Sequence, residues 1–209
     1  MDTFYFAPGS CSLAVLIALE EAGAPFQAVR VDLAQGQQRT PDYLKLNPKG
    51  RVPMLLTAQG ALTETPALLL YVAQSFSQAG LAPLSDPFAL ARVQAFNSYL
   101  CSTVHVAHAH GKRGSRWVDA QDSAAIEAMR RHVPTSYGDC FELIERELLQ
   151  GPWVMGEAYS IADAYLFTLA GWLESDGVDP ARFPKVLAHR QRMAERPAVQ
   201  RALARVQQG

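Results

Sequence analysis

The apolar positions change their period every few residues over the first eighty. Residues 3–7 (TFYFA) form a short apolar run that Pro8-Gly9 ends. Residues 10–21 then carry apolar side chains at helical spacing up to Gly23, so the chain opens with a strand feeding a helix. Residues 26–31 (FQAVRV) alternate with period two, as a half-buried strand does. After a polar stretch, the pattern predicts a short helix at 41–46, a hairpin of 52–56 (VPMLL) with 61–63 around Gln59-Gly60, and a helix opened by Thr65. The expected order is β-α-β-α-β-β-α.

From Asp86 onward the apolar spacing is helical: Phe88, Ala91, Ala95 and Phe96, then Ile126, Met129, Val133 and Tyr137, then Ile144 and Leu148. This predicts an α/β domain at 1–80 followed by an all-helical domain at 81–209. Residues 77–87 (SQAGLAPLSDP) make the linker. Ser160-Ile161-Ala162-Asp163 reads as a capping box ahead of the apolar run 164–169, a folding signal with no catalytic part.

Composition narrows the class. Of 209 residues, 49% are hydrophobic and 19% charged, which suits a packed globular protein. Lys and Arg total 19 against 20 Asp and Glu, so no overall field draws the chain to nucleic acid or to an anionic membrane. The first residues lack the basic start and long apolar run of a signal peptide, so a cytoplasmic location is expected. Three scattered cysteines, Cys11, Cys101 and Cys140, do not form a disulfide framework and would stay reduced there.

Cys11, in Pro8-Gly9-Ser10-Cys11-Ser12, falls in the first turn of a helix, with Ser10 available as the cap. Roughly half a positive charge at that helix end can lower a thiol pKa below its free value of about 8.5, although a small buried packing cysteine is the alternative. Pro8 and Ala14 stand three residues either side, so no local C-x-x-C partner exists. A redox-active Cys11 would need an external thiol, with glutathione the cytosolic candidate. Val52-Pro53 begins an apparent strand, where a trans proline simply opening it has the higher base rate and a cis bond would present the Val52 backbone to an extended ligand. Glu64-Thr65-Pro66 is a strong helix start, and its acid and hydroxyl also suit an amino-acid zwitterion. His105, His108 and His110 lack an acid or cysteine at ligand spacing, so no metal is expected.

These segments together resemble the cytosolic glutathione S-transferases, most closely the bacterial beta class, over the whole chain. The matching stretches are YFAPGSCSL at 5–13, NPKGRVP at 47–53, TE at 63–64, STVH at 102–105 and SIADAYLFTL at 160–169. The resemblance implies a thioredoxin-like domain followed by a helical one, a homodimer, glutathione as cosubstrate, and a small hydrophobic electrophile in the cleft. It places Cys11, Lys49, Val52, Pro53, Glu64, Thr65 and His105 at glutathione, with Cys11 and His105 beside the reacting sulfur. The electrophile side would draw on variable residues such as Tyr99, His108 and Trp117. The chain departs from the family pattern at Thr65, Ser98, Val106 and Val15-Leu16. The function implied is glutathione transfer to electrophiles, possible thiol transfer through Cys11 included. A catalytically weak glutathione-binding or carrier protein of the same fold is the alternative.

Overall fold

In the computed structural model, which describes residues 1–208, Asp2–Phe6 (β1) is an inner strand of a four-stranded sheet ordered β2-β1-β3-β4. Phe26–Arg30 (β2) runs parallel to it, and Met54–Thr57 (β3) runs antiparallel on its other side. Gly60–Thr63 (β4) closes the hairpin with β3. A parallel neighbour demands a crossover, and Ser12–Glu21 (α1) supplies it. Alternation along the strands gives the sheet two covered faces. Phe4, Phe6 and Leu55 enter the main core, whereas Met54 joins Val31 and Tyr43 under the short helix Pro41–Leu46 (α2).

The run SLAVLIALEE in α1 is apolar around its whole circumference, and such a helix is stable only when buried on every side. It packs against Thr65–Ser75 (α3) and, in the helical domain, against Ile161–Ala170 (α7) and Pro197–Gln208 (α9). Its last two residues, Glu20 and Glu21, are tied to arginines on the far side of the chain. Glu21 takes a two-pronged bond from Arg196 at 2.5 and 2.9 Å, and Glu20 pairs with Arg201 and Arg205. One apolar cluster therefore runs from the sheet through α1 into the helices.

The helical domain continues with Pro87–Tyr99 (α4), a π-helical segment Leu100–Val104, His105–Arg113 (α5), Ser123–Leu143 (α6), α7 and Pro184–Ala194 (α8). Asp163 anchors α7. Its buried carboxylate accepts the backbone N–H groups of Ser160 and Val154, both at 2.7 Å, and lies 3.0 Å from His189 Nε2. The capping box read in the sequence is formed, and Asp163 additionally ties a loop and α8 to the helix start.

Three element starts differ from the sequence expectation. α1 begins at Ser12, which leaves Cys11 at the N-cap position and Ser10 outside the helix. β3 begins at Met54 because Pro53 has no N–H to give a ladder, and the Val52-Pro53 bond is cis. At α3 the cap residue is Glu64, with φ of 74°, and Thr65 is already helical. Its hydroxyl caps nothing and is free to face the cleft. The π turn at 100–104 was not legible, because the apolar spacing passes through it without a break.

Candidate functional site

Two hydroxyls hold the loop after β1. Ser10 Oγ donates to the Ala7 carbonyl at 2.8 Å and accepts the Ser12 N–H at 3.3 Å, while Ser12 Oγ accepts the Ala7 N–H at 3.1 Å. Cys11, between them, is buried and reduced. Burial pushes its thiol up to about 11, a hydrogen bond with Thr65 acting the other way. The helix end contributes at most about 2 kcal/mol, or roughly 1.5 pH units, so desolvation wins. The lowered pKa expected from the sequence is thus corrected: in the free protein Cys11 is a thiol at neutral pH.

Around that thiol stand side chains from three other elements: Thr65 from the start of α3, Cys101 from the π turn, and Tyr165 from α7. Tyr165 is fully buried, and its hydroxyl has no hydrogen-bond partner of good geometry. Such a hydroxyl, beside a cavity and near Cys101 and Thr65, is one that a bound ligand could satisfy.

The cavity has a volume of about 330 Å³ and lies between the two domains. All seven residues expected at glutathione line it: Cys11, Lys49, Val52, Pro53, Glu64, Thr65 and His105. The loop that carries three of them is pinned through one carbonyl. Asn47 Nδ2 and Tyr43 Oη both donate to Arg51 O, at 2.7 and 2.8 Å. Lys49 Nζ reaches across to Glu64 Oε1 at 2.5 Å and Thr63 Oγ1 at 2.8 Å. Glu64 itself holds a positive φ that costs a non-glycine residue of order 1–3 kcal/mol, a conformation that clusters at ligand sites.

His105 is the first residue of α5, directly after the π turn. Its ring lies 5.2 Å from that of Trp172, on which His108 stacks at 4.1 Å. His108 Nδ1 in turn meets the buried Asp176 carboxylate at 2.5 Å. Burial lowers the His105 pKa to about 4, and His108, Arg116 and Arg51 add to the shift. His105 is therefore a neutral imidazole at physiological pH. His110 points elsewhere, edge-on to Trp117. Among the described residues no group of three or more His, Cys, Asp and Glu is placed to hold a metal.

A second cavity of about 430 Å³ adjoins the first and shares Cys11, Arg51, Val52, His105, Ala109 and Arg116 with it. Of the residues expected on the electrophile side, Trp117 lines the first cavity and His108 the second, while Tyr99 lines neither. Ser98 is exposed and Val106 lines the first cavity. Sequence reasoning missed Asn47, Arg51, Cys101, Arg116 and Tyr165. Asn47, Arg51 and Tyr165 lay inside motifs already noted; Cys101 and Arg116 come from the helical domain, where only packing brings them to the cavity beside Cys11.

Residues 2–74 match the family model described as "Glutathione S-transferase, N-terminal domain", and residues 123–197 match "Glutathione S-transferase, C-terminal domain". Glutathione S-transferase GstA of Escherichia coli O157:H7 is 33% identical over 203 residues, 96% of each chain. A glutathione transferase homologue from Sulfitobacter, solved with bound glutathione, superposes with a TM-score of 0.94 at 48% identity, covering 98% of both chains. The bacterial beta class glutathione S-transferase of Sphingomonas chungbukensis gives 0.84 at 35% identity, again over 98% of each.

Proposed function

Because the chain belongs to the glutathione S-transferase family, we propose that it binds glutathione in the first cavity and transfers it to a small electrophile entering from the second. In this reading residues 1–80 form the glutathione-binding domain and 81–209 the helical one. The cysteinyl backbone of glutathione pairs with Val52 beside Pro53, as an extended ligand pairs with a strand edge. The Lys49–Glu64 ion pair stands where a zwitterion would go. The γ-glutamyl ammonium takes Glu64 and its carboxylate takes Lys49 and the Thr65 region, so the ligand replaces each half of the pair with a better-placed partner.

The observation that carries the mechanism is the pairing of protonation states at the sulfur. Cys11, with its pKa near 11, keeps its proton and can donate a hydrogen bond. His105, with its pKa near 4, is neutral and can accept one. His105 accepts a hydrogen bond from the glutathione thiol and orients it; the proton passes to solvent, and the thiolate, steadied by the Cys11 S–H, attacks the electrophilic carbon, whose leaving group departs with the bonding pair. The same numbers favour the donor role of Cys11 over a nucleophilic one, since its thiolate in the free protein is on the order of one in ten thousand at pH 7.

Glutathione is expected to raise the melting temperature at millimolar concentration. With a haloarene, Cys11→Ser is expected to keep conjugation within about tenfold, whereas His105→Gln lowers kcat/KM by about a hundredfold. Loss of conjugation in Cys11→Ser, together with a reversible glutathionyl adduct on wild-type Cys11 seen by intact mass, would shift the assignment to thiol transfer. The presence of Cys101 in the same cavity favours that as the second reading.

We also propose a homodimer in the cytoplasm. Phe88, 76% exposed at the start of α4, and Leu62 on the edge strand β4 are apolar side chains that a second copy would cover. A monomeric mass by light scattering at micromolar concentration counts against it.

A further inference from the structure

Resting on the transferase reading, we propose that the electrophile served by this cleft is an organic anion, an apolar or aromatic body bearing a carboxylate. The second cavity is lined by five cations, Arg39, Arg51, Lys112, Arg113 and Arg116, and by no aspartate or glutamate. The chain as a whole carries slightly more acids than bases, so this one-sided lining is not a consequence of composition. None of the five makes an ion pair with an acid among the described residues, although elsewhere the same residue types are regularly paired.

Their mutual repulsion is visible in Arg116, whose pKa is held below the usual arginine range by burial and then by Arg51, Arg113 and Arg39. Local structure accounts for part of the cluster. Lys112 and Arg113 end α5, where the helix end offers roughly half a negative charge. Glutathione accounts for another part, through its glycyl carboxylate and its thiolate. The γ-glutamyl carboxylate is served separately, by Lys49 in the first cavity. Cations on the α5 side remain without a counter-charge once glutathione is seated.

The geometry also limits what the anion looks like. Lys112 and Arg113, from the end of α5, line the second cavity alone, whereas Arg51 and Arg116 line both, so Lys112 and Arg113 face the partner of glutathione more than glutathione itself. Trp172, Leu33 and Pro8 supply apolar wall in the same cavity, and Trp117 supplies it in the adjoining one. Guanidinium forks match a carboxylate through two parallel hydrogen bonds. A wholly apolar electrophile would strip water from these groups and offer nothing in exchange.

The test separates this inference from the reading beneath it by using conjugates, which need no turnover. Calorimetry would measure Kd for glutathione, for S-(4-carboxy-2-nitrophenyl)glutathione and for its uncharged carboxamide counterpart. The acid conjugate is expected to bind about tenfold tighter than the amide at low salt, and to lose most of that advantage near 0.5 M, where the Debye length falls toward ~4 Å. Lys112→Gln and Arg113→Gln should each cut the advantage to about threefold or less and leave the Kd of glutathione within about twofold, with Arg113→Lys restoring part of it. Equal affinities for the two conjugates, with glutathione still bound, would overturn the anion inference and leave the transferase reading intact. An advantage that survives both glutamine variants would also overturn it. Failure to bind glutathione at all would defeat both.

Discussion

The fully buried Tyr165 hydroxyl is the residue whose behaviour most directly tests whether the cavity by Cys11 is built for a sulfur. In the free protein this oxygen has no partner, so removing it relieves an unsatisfied group. Tyr165→Phe is expected to leave unfolding free energy unchanged or raise it by about 1 kcal/mol in urea titration. If the hydroxyl donates to the sulfur during transfer, the same variant loses about tenfold in kcat/KM, the worth of one hydrogen bond to a charged group. A stabilised variant with wild-type kinetics would assign the orphan to packing alone. Cys11 shows why such tests belong at this scale: its chain position at a helix start argued for a thiolate, and burial by side chains from three other elements reversed the sign.

Among the elements, α1 bears the most, since it both carries Cys11 and joins the two domains. Its C-terminal end is held by charge. Arg196 makes the two-pronged bond to Glu21, stacks over Tyr159 at 3.9 Å from the ring centre, and is raised in pKa chiefly by that hydrogen bond. Glu21 is largely buried, so truncating its partner strands a charge. Arg196→Ala is expected to cost roughly 2–4 kcal/mol by urea denaturation, and Arg196→Lys to recover less than half, because the fork and the stacking are both lost. A cost under about 0.5 kcal/mol would mean that the apolar faces of α1 hold the domains together without help. The π turn before His105 illustrates the limit of element-level reading. The sequence places His105 and His108 on one helix face, and they are so placed, but it gives no sign of the π turn just before them.

For the whole molecule, the neutral state of His105 links folding to pH. Its pKa falls from 6.5 in the unfolded chain to about 4 in the fold, so between those values the unfolded chain binds more protons. This contribution to stability is complete above about pH 6.5 and is lost progressively as pH falls toward 4. Thermal melts across that window should decline less steeply for His105→Gln than for the wild type; parallel curves would show that the ring protonates in the folded protein without penalty. The difference between the two proteins is the readout, because the buried His108–Asp176 and His189–Asp163 pairs are present in both.

The sequence by itself determined the order β-α-β-α-β-β-α, the helical remainder, the family, and the seven residues that come to line one cavity. Each was legible because local physics carries it: period-two and helical spacing, glycine and proline breaks, and short motifs whose members are near neighbours in the chain. Tertiary structure decided the electrical character of the site. Burial set Cys11 and His105 to opposite protonation roles, and packing brought Cys101 and Tyr165 to the sulfur. Five cations scattered from residue 39 to residue 116, invisible in a chain whose charges nearly cancel, converge on one cavity without an acid among its walls. Desolvation and charge clustering depend on distances through space between segments far apart in sequence, and no spacing along the chain encodes them.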